Sequence, residues 1–168
     1  KGVTGVEVKV SFQYGSSFSA SAELKTQISG WYDNGTQVVF ACGGSMFQSV
    51  KSAAEETTNG KIIGVDVDQS SLSERVITSA VKGLSESVQL ILGQFYAGEW
   101  DAKLADKTSN LGAAENATGL PTANWRMSNF KGADYNTLFN AIKNGTVAIS
   151  TTPCAGDCGN AEVWTALN

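Results

Sequence analysis

The chain has 168 residues, 42% apolar and 17% charged, with 18 Gly and 2 Pro, a length and balance that build one compact domain, or one lobe of something larger, without disulfides or metals. Twelve basic against sixteen acidic residues give a net charge of −4, which argues against nucleic acid or an anionic membrane surface as the main partner. Histidine is absent from the chain, so a Ser-His-Asp triad, a Cys-His dyad and any His-ligated zinc site within it are excluded.

Residues 6–12 alternate strictly, with Val6, Val8, Val10 and Phe12 on one side and Glu7, Lys9 and Ser11 on the other, the period of a half-buried strand. Tyr14-Gly15-Ser16-Ser17 breaks it. From Ser19 to Ile28 the spacing of Ala20, Leu24 and Ile28 predicts a helix ended by Gly30. Val38–Cys42 is a continuous apolar run, as in a parallel strand covered on both faces, and Cys42 inside it reads as a buried, inert thiol. Gly43-Gly44 stops the run. A helix follows, with Ser45 as N-cap and Met46, Phe47, Val50, Ala53 and Ala54 as its apolar stripe.

After the Asn59-Gly60 turn, Ile62–Val65 forms a third strand ending in Asp66-Val67-Asp68-Gln69. Apolar residues from Val76 to Phe95 keep a helical period, so the spacing predicts a long helix over 73–93 that carries Lys82. Short strands are expected at 103–105 and 110–114. A last helix holds Tyr135, Leu138, Phe139 and Ile142 and ends at Asn144-Gly145. No period is legible in the tail 151–168, where Cys154 and Cys158 either form a small-loop disulfide or stay free; two sulfurs are too few for structural zinc. Strands and helices alternating through short links predict an α/β fold, an open, mostly parallel sheet flanked by helices.

In such a sheet ligands gather at the carboxyl ends of the strands. Two ends stand out: Gly43-Gly44-Ser45 and Asp66-Val67-Asp68-Gln69. A Gly-Gly turn allows close approach to the backbone, although a plain strand-to-helix turn has the same look. It matches neither the dinucleotide nor the P-loop pattern. Asp66 and Asp68 share one side if the backbone is extended; they suit acid/base work, a hard cation or a polyol, or are simply solvated loop acids. Nowhere does a nucleophile stand beside a base, which weakens every hydrolase reading.

Three blocks, Val38–Gly44, Ile63–Gln69 and Thr78–Lys82, resemble in order and spacing the basic membrane protein family of substrate-binding lipoproteins of ABC importers, of purine-nucleoside type. Leu111–Asn116 and Ala141–Gly145 look similar too, and the likeness runs over about residues 5 to 150. The resemblance implies one lobe of a type I periplasmic-binding-protein fold, with no catalysis and no cofactor. It implies that Asp66 accepts hydrogen bonds from ribose hydroxyls, that Lys82 reaches the same polar end, that Gly43 and Gly44 form a close backbone wall, and that Phe40, or less well Phe47, stacks on a base.

It also implies partners: a nucleoside, an ABC permease, and an N-terminal lobe of about equal size ahead of Val6. The location it implies is extracytoplasmic, at the cell surface or in the periplasm, with a lipid-anchored N-terminus. Residues 1–120 then form the ligand-binding lobe, 121–150 a return segment with the late helix, and 151–168 an irregular tail. With the other lobe absent, Leu138, Phe139 and Ile142 lose cover, so the segment after Pro121 is expected to fold back on its own lobe or to drive self-association. The alternatives are a ligand-sensing regulatory domain of the same fold, a sugar-type ligand, or a small α/β enzyme using Asp66 and Asp68.

Overall fold

The computed structural model describes residues 8–15 and 17–149, and the backbone of 161–166. Val6, Ser16, Cys154 and Cys158, with the expectations attached to them, lie outside the described residues. The chain divides into two units, 1–17 with 148–168, and 18–147.

The first unit contains strand β1, Val8–Phe12, where the alternating pattern places it. The second begins with helix α1, Ala22–Asp33. Ser21 caps it, its hydroxyl accepting from Leu24 N–H at 3.0 Å, and a Ser21–Ser49 exchange of two 2.9 Å bonds ties that cap to the following helix. Gly30 does not stop α1. The helix continues for nearly another turn because Tyr32 is buried and donates to the Lys61 carbonyl at 2.8 Å; Gly35, at φ 96, is the glycine that ends it.

Strand β2 is Val38–Phe40. A short 3-10 turn, Gly44–Met46, leads into helix α2, Phe47–Glu55. Ser45 is therefore not the N-cap; its hydroxyl donates to the Phe18 carbonyl at 3.3 Å. The expected stripe of α2 is otherwise correct, with Phe47, Val50, Ala53 and Ala54 buried against Ile28, Tyr32, Val39, Ala41, Ile62 and Val76. Strand β3 is Lys61–Asp66. Strand β4, Val76–Lys82, is followed by helix α3, Leu84–Tyr96.

The pair β4 and α3 replaces the single long helix expected over 73–93. Val76, Ile77, Thr78 and Val81 are β-branched and prefer the pleated chain, whereas the apolar positions of a strand and the helix after it together imitate a helical period. Gly83 makes the break: a Cβ there would stand 2.4 Å from the Asn116 carbonyl oxygen.

The strands expected at 103–105 and 110–114 do not form. Trp100–Leu104 is a single π-helical turn, and the next strand, β5, is Thr118–Gly119. The sheet order is β2-β3-β4-β5, parallel except for β5. Among the described residues β2 lies at the edge, so Val38 and Phe40 are exposed and only Val39 is buried; the covering of both faces expected for this run is not observed. Cys42 is exposed too, because the strand has already ended and Ala41 takes the inward position.

Helix α4, Gly132–Lys143, matches the late helix. The segment after Pro121 folds back within its own unit. Arg126 donates to the Ser73 and Val76 carbonyls, both at 2.9 Å, and the rings of Trp125, Tyr135 and Phe139 line up at 5.5–5.7 Å. Phe139 and Ile142 are half-buried and Leu138 is exposed. Beyond it, in the first unit, residues 161–166 form strand β6, Ala161–Ala166, parallel to β1, where the tail was expected to be irregular.

Candidate functional site

Three parallel strands end on the same edge of the sheet. In register, Phe40 stands beside Ile63, and Asp66 beside Val81. Asp66 therefore ends β3 where Lys82 ends β4. Lys82 is a strand-end residue and not the helical one that the spacing predicted, and this brings its Nζ to 2.6 Å from Asp66 Oδ1.

The pair is open to solvent, the Lys82 side chain 63% and that of Asp66 40% exposed. Oδ1 itself is buried, and the Lys82 ammonium that closes on it at 2.6 Å is its near neighbour in a salt bridge. The Asp66 carboxylate, through this short contact first and through its charge second, holds the Lys82 ammonium protonated above the ordinary lysine range.

Asp66 has φ 69, the left-handed region, and Val67 N–H donates to the Val65 carbonyl at 2.8 Å across it. A bond from i to i+2 across a positive-φ residue makes the rarer, strained form of γ-turn. A non-glycine residue held there costs on the order of 1–3 kcal/mol, and such strain collects at binding and switch sites. The turn also removes Asp68 from the site. The backbone is not extended at Asp66, as the shared side required; Asp68 is exposed and its Oδ1 accepts from Ser70 N–H at 2.9 Å, at the start of a 3-10 turn, Ser70–Leu72.

Gly43 and Gly44 do sit at the tip of β2. A Cβ on Gly43 would lie 2.8 Å from the Phe18 ring and 2.9 Å from Met46 Sδ, so that glycine makes room for its own chain. Gly44 is exposed, at φ 22. Phe40 stands three positions short of Asp66 in register, roughly 10 Å back along the strand, on the side of β2 opposite Val39. Phe47 is 1% exposed and belongs to the core.

Sequence reasoning missed Phe18. Its carbonyl accepts from Met46 N–H at 2.9 Å, which fixes the residue over the Gly43-Gly44 turn, and its side chain is 73% exposed. The available signal was a large apolar residue inside a Ser-rich break, where no core position calls for one. Among the described residues no cluster of acidic and sulfur side chains has the geometry to hold a metal, and no helix is long and apolar enough to cross a membrane.

The profile of one protein family, described as "Bmp: ABC transporter substrate-binding protein PnrA-like", matches residues 2–150. The chain belongs to that family. It is 30% identical over 122 residues to basic membrane protein B of Borreliella burgdorferi, a match covering 70% of this chain and 35% of that protein. To the ABC transporter nucleoside-binding protein BmpA of Lactococcus lactis it is 36% identical over 75 residues, covering 40% of this chain and 21% of the relative. The chain thus spans about a third or less of the length of these relatives. Among solved structures, an ABC transporter system solute-binding protein from Aeropyrum pernix shares its fold at TM-score 0.53 and 19% identity, over 77% of this chain and 44% of the other.

Proposed function

We propose that this chain supplies part of the ligand-binding region of an ABC importer's substrate-binding protein, and that its ligand is a nucleoside of the purine type. The observation that carries the reading is the Asp66–Lys82 pair at the adjacent carboxyl ends of β3 and β4. A half-exposed carboxylate beside a fixed cation offers acceptors and a donor side by side, the complement of vicinal ribose hydroxyls. Exposed Phe18 over the Gly43-Gly44 turn offers a ring face for a base, a better placed one than Phe40. Family membership supports the substrate-binding role, and the name of the Lactococcus relative supports the nucleoside.

Asp66 accepts from the ribose, Lys82 donates to it, and Gly44 leaves backbone open to the ligand. No step of bond making is involved. The complete receptor holds the ligand between this region and a second lobe, outside the cytoplasm on a lipid anchor, and delivers it to an ABC permease. Calorimetry of the full-length receptor against purine nucleosides, pyrimidine nucleosides and free ribose tests the reading. Saturable binding of purine nucleosides supports it; binding of free sugars alone would replace the nucleoside with a sugar-type ligand.

A further inference from the structure

The turn at Asp66 carries one internal bond, Val67 N–H to the Val65 carbonyl. A strained γ-turn persists only where surrounding structure over-determines it. Gln69 provides that surrounding. Its side-chain Oε1 accepts from Val65 N–H at 3.0 Å, while its backbone N–H donates to Ser79 Oγ at 3.1 Å. Val65 is therefore clamped at both ends, its N–H by Gln69 and its carbonyl by Val67, directly before Asp66. Ser79 is fully buried in β4 and pairs in register with Gly64. Gly64 leaves the space that the Gln69 side chain occupies: a Cβ there would stand 2.5 Å from Gln69 Oε1 and 2.7 Å from Ser79 Oγ.

From this geometry we infer that Gln69 is a positioning residue, which, through Val65 and Ser79, sets the backbone at Asp66 so that its carboxylate meets Lys82 and faces a ligand. Gly64 is the condition for it. Gln69 touches no ligand in this role. Only the consequence for binding rests on the nucleoside reading; the positioning itself needs no ligand.

NMR titration of the Lys82 ammonium in this chain reads the positioning directly, because Asp66 holds that group above the ordinary lysine range. Gln69→Met keeps the side-chain length and removes the acceptor. It is expected to return Lys82 to ordinary lysine behaviour and to lower nucleoside affinity of the full-length receptor about tenfold. Gln69→Glu keeps an acceptor and is expected to leave Lys82 raised. In an Asp66→Asn background, Gln69→Met should no longer move Lys82.

Ser79→Ala removes only the second anchor and serves where Gln69→Met does not fold; it too should release Lys82. Lower thermal stability in the folded variants with Lys82 still raised would overturn the inference, since a merely structural role predicts that. Release of Lys82 in a receptor that binds no nucleoside would support the positioning role and count against the nucleoside reading alone.

Discussion

Asp66 and Lys82 meet at 2.6 Å because the strands that carry them end side by side, with Asp66 in register with the residue before Lys82. The carboxylate sits on a left-handed backbone at φ 69. A residue chosen for stability at that point would be glycine. An aspartate there trades backbone comfort for a carboxylate at the sheet's edge.

That trade is measurable. An open ion pair contributes about 0–1 kcal/mol, so Asp66→Ala should change stability little while removing charge-assisted hydrogen bonds worth about 1.5–3 kcal/mol each from nucleoside binding. Asp66→Gly should bind as poorly, yet be more stable than Asp66→Ala by about 1 kcal/mol, the usual left-handed penalty for an L-residue. Urea denaturation of both variants checks this; equal stabilities would contradict the strain.

Phe18 and Phe40 are separable. Stacking of a base on an aromatic ring is worth about 1–3 kcal/mol. Phe18→Ala should therefore weaken purine nucleoside binding by roughly tenfold or more, and Phe40→Ala, set back along β2, should leave it nearly unchanged. The reverse result in paired calorimetric titrations would return the stacking role to Phe40.

Tyr32 predicts an alkaline limit. Burial pushes its phenol up to about 12, opposed in part by the positive charge of Arg75. The folded state holds the proton more tightly than the unfolded chain, whose tyrosines titrate near 10. Stability is thus fully present below about pH 10 and falls as the pH rises toward about 12. In Tyr32→Phe that part of the alkaline loss should vanish, which stability measured at pH 9 and pH 11.5 will show.

Two glycines should respond oppositely to alanine. Gly83 faces backbone, the Asn116 carbonyl oxygen at 2.4 Å and Ala117 Cα at 2.9 Å from a built Cβ, so Gly83→Ala should cost about 1–3 kcal/mol. Gly30 lies inside α1 with open space around it, so Gly30→Ala should stabilise by about 0.5–1 kcal/mol. Thermal melts of the two variants are sufficient to test both signs.

The alternation at Val8–Phe12, the run at Val38, the stripe of α2 and the Asn144-Gly145 stop were legible because burial imposes its period directly on those residues. The stretch 73–93 was misread because β4 and α3 adjoin at Gly83, and Val76, Ile77, Ala80 and Val81 of the strand fall on the same three-to-four spacing that Leu84, Val88 and Leu92 continue in the helix; the β-branched Val76, Ile77, Thr78 and Val81 were the contrary sign. Cys42 looked buried because a continuous apolar run implies cover on both sides, and β2 is an edge among the described residues. Asp66 and Lys82 could be named from their motifs, but their contact depends on register between two strands, which no local pattern encodes. The γ-turn that separates Asp66 from Asp68 was likewise invisible, since it depends on bonds to Gln69 and Ser79.

In the proposed function the Asp66 carboxylate grips ribose hydroxyls. Calorimetry with adenosine and 2′,3′-dideoxyadenosine, on the full-length receptor and on its Asp66→Ala variant, isolates that contact. Removing the hydroxyls is expected to weaken binding to the parent by about tenfold or more and to weaken binding to the variant clearly less, by the Lys82 contact alone. Equal losses in the parent and the variant would contradict the Asp66 contact.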